Sequence, residues 1–272
     1  MAKYQFGFIG CGNMGGAHVH AIAPCVGGEN VLIADPLLSN TEMLRDACHV
    51  SIAENAAEVA REAKYIFLGV KPQGMRELLT ELSSILKARS ESFVLISMAA
   101  GVTISTICEM VDIANAAVVR ILPNTPASVG QGMTLYCCSE TVTEDDETQV
   151  VCALKAAGKV DALPESMIDA GCAVSGCGPA FVYLFIEAMA DGAVAAGLPR
   201  QKAMLYAAQT VLGAAQMAIE SGKHPGELKD AVCSPGGSTI CGVNALEQGA
   251  FRGTVMDAVI AAYKKTKSLG NS

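Results

Sequence analysis

Tryptophan is absent from these 272 residues, and aromatic side chains make up only 5% of them, so stacking platforms for nucleic-acid bases are scarce. Charged residues are few, 17%, and they leave a formal net charge of −8, which disfavours nucleic acid or an anionic membrane surface as a partner. No C-x-x-C pair occurs among the 11 cysteines, and His18, His20, His49 and His224 form no metal-ligand spacing with them, so no metal is expected. The odd cysteine count, with no signal peptide ahead of the first apolar run, points to a reducing, cytoplasmic location in which most cysteines act as small buried hydrophobes. There is no G-x-S-x-G elbow, and no histidine–carboxylate spacing suggests the proton relay of an alcohol-oxidising enzyme. The uncharged run 203–219 is 17 residues long and contains Gln209, Thr210, Gly213 and Gln216, so it reads as a helix buried in a helical domain or a dimer and no membrane span is expected.

What is present starts at the amino end. An apolar run over 5–10 flows directly into Gly10-Cys11-Gly12-Asn13-Met14-Gly15, a G-x-G-x-x-G pattern between a strand and a helix. In that setting the first glycine permits the tight turn, the second lets a pyrophosphate approach the backbone, and the third lets the helix pack close to the strand. Free N–H groups at the helix start then face the phosphates. A second apolar run, 31–35, ends in Asp35, 20 residues past Gly15, the spacing of the acid that bonds an adenosine ribose. Together they predict a dinucleotide site.

At 51% apolar residues and this length, the chain has core enough for two domains. Short apolar runs at 5–10, 31–35, 65–70, 93–96 and 117–121, with later candidates at 133–136 and 159–163, alternate with helical stretches such as 14–23, 53–62 and 72–86. That alternation predicts an α/β, Rossmann-type domain over residues 1–164 with a mainly parallel sheet covered on both faces. The acidic cluster 144–147 follows Thr143 and reads as a solvated first helical turn behind its N-cap. Beyond Pro164 the strand signal stops. Helices are predicted over 180–196, 201–221, 226–232, 239–248 and 254–267, making residues 165–272 an all-α domain.

Several turns fall where ligands of such folds bind. Gly69-Val70-Lys71-Pro72 ends the third strand at the carboxyl edge of the sheet, and Ser97-Met98-Ala99-Ala100-Gly101 ends the fourth with small residues. Arg120-Ile121-Leu122-Pro123-Asn124-Thr125-Pro126 closes another strand in a rigid turn. In the helical half, Ser175-Gly176-Cys177-Gly178-Pro179 and Ser234-Pro235-Gly236-Gly237-Ser238-Thr239 each read as a helix N-terminus able to hold a carboxylate, or as a plain N-cap. A nicotinamide enzyme without a strong acid or base suits reduction of a C=N bond.

On these motifs the chain resembles the pyrroline-5-carboxylate reductase family. The resemblance spans nearly its whole length and is most specific over Ser175-Gly-Cys-Gly-Pro-Ala-Phe181, Asp191-Gly192, Gly197-Leu198-Pro199 and Asp230-Ala-Val-Cys-Ser-Pro-Gly-Gly-Ser-Thr239. It implies reduction of 1-pyrroline-5-carboxylate to proline, the last step of proline biosynthesis, with NADH or NADPH as cofactor. It implies a helical domain that dimerises, with possible assembly to a decamer. Carried over by motif, the cofactor would be contacted by Ile9, Gly10, Cys11, Gly12, Asn13, Met14, Gly15, Asp35, Asn55, Gly69, Val70, Lys71, Pro72, Met98, Ala99 and Ala100. Gly236, Gly237, Ser238 and Thr239, with Ser175, would hold the substrate, and Thr239 would bond the ring nitrogen.

The chain departs from the family at four places: Cys177 for serine, Phe181 for tyrosine, Ser238 for threonine or alanine, and Asp35-Pro36 where many members have Asn-Arg. An acid at 35 favours ribose hydroxyls, hence NADH, while Ser39, Asn40 or a nearby Arg45 could still serve a 2′-phosphate. Two other readings share part of this pattern. A β-hydroxyacid dehydrogenase would need a catalytic lysine that residues 181–189 lack. A non-enzymatic dinucleotide sensor would bind cofactor without turnover.

Overall fold

The computed structural model describes residues 2–269. It divides into two compact units, the first running to Cys177 and including the end of the last helix from Ala262, the second spanning Gly178–Ala261.

In the first unit the strands are β1 (Tyr4–Ile9), β2 (Val31–Ala34), β3 (Ser51–Ile52), β4 (Ala63–Leu68), β5 (Val94–Ser97), β6 (Val118–Leu122), β7 (Gly132–Cys138) and β8 (Gly158–Ala162). The helices are α1 (Asn13–Val26), α2 (Leu38–Cys48), α3 (Ala56–Glu62), α4 (Pro72–Lys87), α5 (Ile104–Val111), α6 (Glu144–Lys155) and α7 (Glu165–Ser175). The strands form one sheet in the order β3-β2-β1-β4-β5-β6-β7-β8. All neighbours are parallel except β6 and β7, which pair antiparallel because the short connection through Thr125–Val129 cannot make a parallel crossover.

Local sequence explains these elements. β2 reads Val-Leu-Ile-Ala and is buried throughout, as a strand covered on both faces must be. α4 opens on Pro72 in its first turn and buries Met75, Leu79, Leu82 and Leu86, a helical stripe facing the sheet. One core layer joins that stripe to Ile66, Leu68 and Leu95. The other is built on Phe6, Phe8 and Phe67, with the Phe8 and Phe67 rings stacked at 4.4 Å.

Two expectations change. The helix expected over 53–62 begins at Ala56, because Asn55 caps it by accepting a bond from the Glu58 N–H at 3.1 Å. Thr143 does cap α6, but the acidic cluster behind it is not all solvated: Asp146 is buried, 2.8 Å from Lys64 Nζ, and accepts from the Tyr65 hydroxyl at 3.0 Å. Burial alone would raise the Asp146 pKa, yet the bonds from Lys64, Thr143 and Tyr65 outweigh it and hold the carboxyl below its ordinary value. The first compact unit extends to Cys177, since α7 buries Ile168 and Cys172 against Leu122, Leu135 and Cys137 of the sheet.

The second unit contains α8 (Gly178–Ala195), α9 (Arg200–Ser221), α10 (Pro225–Ala231), α11 (Ser238–Gln248) and the first part of α12 (Phe251–Leu269). α8 and α9 pair through Ala190, Ala203 and Ala207, small residues that let the helices approach. Much of the apolar surface stays open: Leu184, Leu205, Leu212, Met217 and Ile219 are all exposed. Among the described residues one helical run, Glu165–Ala195, is long and apolar enough to cross a membrane by length and composition. It is interrupted at 176–177, and its first half packs on the sheet. Of the 11 cysteines, only Cys11, Cys137 and Cys172 are buried, so the expectation that most are core residues does not hold within one chain.

Candidate active site

The strand register assembles the first half of the site. Ile9, Ala34, Leu68 and Ser97 pair across β1, β2, β4 and β5, so they form one row along the carboxyl edge of the sheet. The residues that follow each of them are Gly10, Asp35, Gly69 and Met98, all expected at a cofactor. β1 lies between β2 and β4, the place where the chain order reverses and open α/β sheets bind ligands.

Close approach there requires glycine. Gly10 has φ +95, and a Cβ on it would lie 2.8 Å from the Gly69 carbonyl carbon. A Cβ on Gly15 would lie 2.0 Å from the Gly10 oxygen, which fixes how near α1 comes to the β1 loop. Gly12 is the opposite case: it is exposed, and a Cβ on it would meet nothing within 4 Å. Gly12 is also the N-cap of α1 and offers no side-chain cap, so the N–H groups of the first turn are left for a ligand. An open cradle with bare amides above it fits a pyrophosphate.

Asp35 is held in place. Its Oδ2 accepts from the Cys11 N–H at 2.6 Å, tying β2 to the glycine loop. Its Oδ1 accepts from the Leu37 N–H at 2.8 Å and from Asn40 Nδ2 at 3.2 Å. Burial, with the Asp35 charge beside it, pushes the Cys11 thiol up to about 12, so Cys11 remains a neutral thiol. On α1, His18 is fully buried and donates from Nδ1 to the Met14 carbonyl at 2.9 Å. Burial lowers its pKa, which keeps the ring neutral. Of the expected phosphate contacts, Arg45 is instead paired with Asp46 through Nε and Nη2, each at 3.0 Å, and the Asn40 amide is spent on Asp35.

The remaining expected cofactor residues fall as follows. Lys71 is the exposed N-cap of α4, Pro72 occupies the first turn, and Gly69 and Val70 lead into it half-buried. Met98 and Ala100 are half-buried and Ala99 is buried beyond β5. Asn55 is exposed at the start of α3, with its carbonyl oxygen engaged in the cap.

The second half of the expected site lies in the other unit. Gly236 turns the chain with φ +69, in the left-handed region, and Gly237 follows as the N-cap of α11 at φ −75 and ψ 166. A Cβ on Gly237 would lie 2.5 Å from Ser234 Oγ and 3.2 Å from the Ser234 carbonyl oxygen, so the turn folds closely on itself. Neither Ser238 nor Thr239 caps the helix; both are exposed in its first turn. With glycine at the cap, the Thr239 and Ile240 amides have no capping side chain and remain open to an anion.

α8 opens at Gly178, inside the expected segment Ser175–Pro179, after a turn at 176–177. The Gly176 and Cys177 N–H groups donate back to the Cys172 carbonyl at 2.8 and 3.1 Å and close the end of α7. The Ser175 hydroxyl donates to the Gly171 carbonyl at 3.2 Å, and its own carbonyl accepts from Asn124 Nδ2 at 2.8 Å. The amide of Asn124 also accepts from the Met133 N–H at 2.8 Å, so the Asn-Thr-Pro turn clamps the end of α7 to β7.

One group escaped the sequence reading. Arg120 is the largest fully buried side chain, lying 2.7 Å from Asp169 Oδ1 and 3.4 Å from Glu165 Oε1, both on α7. Glu165 also accepts from the Ile104 N–H at 2.8 Å, joining α5 to the same cluster.

Residues 165–269 match the family model described as pyrroline-5-carboxylate reductase dimerisation, and residues 5–101 match that of NADP oxidoreductase, coenzyme F420-dependent. Pyrroline-5-carboxylate reductase of Arabidopsis thaliana is 40% identical over 99% of this chain and 97% of its own length. The enzyme of that name from Escherichia coli K12 is also 40% identical, over 98% of this chain and 99% of its own. The crystal structure of Plasmodium falciparum pyrroline carboxylate reductase, solved with NADP bound, superposes with a TM-score of 0.88 at 35% identity and covers 99% of each chain. Such identity along the whole of both units, on a fold of matching shape, places this chain in the pyrroline-5-carboxylate reductase family.

Proposed function

We propose that the protein reduces 1-pyrroline-5-carboxylate to proline, using NADH at least as well as NADPH. The observation that carries the activity is near-complete alignment with reductases of this name, over a chain whose glycine loop forms an open, uncapped cradle. When bound, the reduced nicotinamide supplies a hydride to the imine carbon. The chain's own residues bind and orient. The first-turn amides of α1 and the carboxyl edge of the sheet hold the dinucleotide, through Ile9 to Gly15, Asp35, Asn55, Gly69 to Pro72 and Met98 to Ala100. The uncapped amides of α11, with Gly236, Gly237 and Ser238, hold the substrate carboxylate. Thr239 bonds the ring nitrogen as that nitrogen takes up a proton. An imine is basic enough to be protonated by water, so orientation and fixed dipoles supply most of the acceleration. Purified protein with the imine should consume NADH at 340 nm and form proline; cofactor binding without turnover would leave only a dinucleotide sensor.

Thr239→Ala should lower kcat by about ten- to a hundredfold, since loss of one hydrogen bond to a polar or developing charge costs ~1–3 kcal/mol. Its exposed position, with no structural bond to lose in α11, should leave folding and cofactor affinity unchanged. Steady-state kinetics beside a cofactor titration check this. Unchanged kcat would return Thr239 to an ordinary helix position.

The dimerisation match and the exposed apolar faces of α8 and α9 support a homodimer, because a monomer would leave that surface in water. A decamer is a further step built on such dimers. Free thiols throughout the chain suit a reducing compartment, and we assign the protein to the cytoplasm.

The NADH preference rests on Asp35. A 2′-phosphate would bring about two negative charges beside its carboxylate, and Pro36 supplies no cation in return.

A further inference from the structure

Asp35 is surrounded by neutral donors. Two are backbone N–H groups, Cys11 and Leu37, which no side-chain change removes. The third is the side-chain amide of Asn40, on the first turn of α2. A carboxylate offers about four lone-pair directions. Here Oδ1 is filled by Leu37 and Asn40, and Oδ2 has one direction left beside Cys11. Asp35 can therefore accept one further hydroxyl, through Oδ2, without giving up a bond. None of its three donors is a cation, so no counter-charge among them offsets the carboxylate. The arginine closest along α2, Arg45, is turned to Asp46. The exposed side chains of Leu37 and Leu38 carry neither charge nor donor.

We infer that Asn40 is a specificity-determining residue for the cofactor: its neutral amide fixes the Asp35 carboxylate for a ribose hydroxyl while leaving its charge uncompensated against a 2′-phosphate. This rests on the reading that Asp35 faces the adenosine ribose. Asn40 acts through Asp35 and is a positioning residue. Replacing it with a cation changes the balance in two ways. A guanidinium in that place neutralises Asp35 and presents further donors to a phosphate. Replacing it with an apolar residue of similar size frees one direction on Oδ1, leaves the Leu37 bond there, and adds no charge.

The test is equilibrium binding of NADH and NADPH to the full-length protein, followed by nicotinamide fluorescence, for wild type, Asn40→Arg, Asn40→Leu and Asp35→Asn. Because Asn40 is half-buried at the rim of the unit, both of its variants should fold, and thermal unfolding confirms it. Wild type should bind NADH at least as tightly as NADPH, and Asp35→Asn should move the ratio toward NADPH; wild type strongly favouring NADPH overturns the Asp35 reading itself. With that reading standing, Asn40→Arg should shift the ratio of dissociation constants toward NADPH by tenfold or more. Asn40→Leu should weaken NADH binding several-fold and bring no gain for NADPH. If Asp35→Asn shifts the ratio while Asn40→Arg leaves it at the wild-type value, Asp35 is placed by the backbone alone and the inference about Asn40 is wrong.

Discussion

Gly12→Ala should leave the protein folded and cut its affinity for NADH and NADPH alike by about ten- to a hundredfold, the equivalent of losing one charge-assisted bond at ~1.5–3 kcal/mol. A methyl group at residue 12 meets no protein atom within 4 Å, so it disturbs nothing in the chain. Its backbone, at φ −66 and ψ −163, is open to any L-residue. The space it fills is the space above the bare amides of α1, where a pyrophosphate must come within bonding distance. Gly15→Ala provides the contrast. There the methyl carbon would lie 2.0 Å from the Gly10 oxygen, so α1 must move off the loop, and overpacking of this kind costs ~1–3 kcal/mol of stability. Gly15→Ala should thus lose both stability and cofactor, and Gly12→Ala cofactor alone. Thermal unfolding beside a fluorescence titration separates them. A Gly12→Ala protein with wild-type affinity would remove the glycine loop from the cofactor site.

The contrast between these glycines also shows what the sequence makes legible. Spacing placed Gly10, Gly12, Gly15 and Asp35 at one sheet edge, because strand, tight turn and helix are local events with local signals. It located the uncapped start of α11 to within one residue for the same reason, with Pro235 and Gly236 punctuating the turn. It also put the other glycine–proline segment at a helix start, which falls at Gly178 after the turn at 176–177. Asp146 is where it misleads: its place in an acidic run suggests water, whereas its partners Lys64 and Tyr65 are 81 or more residues away in sequence. Pairings across such distances leave no periodic trace.

Arg120 is the strongest such case. No pattern in Arg120-Ile-Leu-Pro-Asn marks it as buried, and its partners Glu165 and Asp169 lie 45 and 49 residues further on. Only once β6 is central in the sheet and α7 lies over β7 do the three charges meet. Arg120→Met should then destabilise the sheet unit strongly. It leaves two carboxylates facing each other without a cation, and removing one member of a buried ion pair costs ~3–5 kcal/mol. Glu165 and Asp169 keep 34% and 23% of their side-chain surface exposed, so water recovers part of this and the lower end, ~3 kcal/mol, is the expected loss. Urea unfolding at one fixed protomer concentration measures it, since the unfolding of a dimer depends on concentration. Packing and charge are then told apart by the triple variant Arg120→Met, Glu165→Gln, Asp169→Asn. With the carboxylates neutral, most of the lost stability should return, although the Glu165 bond to the Ile104 amide is weakened. If the triple variant is as unstable as Arg120→Met alone, the arginine serves by filling volume, and its charge contributes nothing to holding α7 on the sheet.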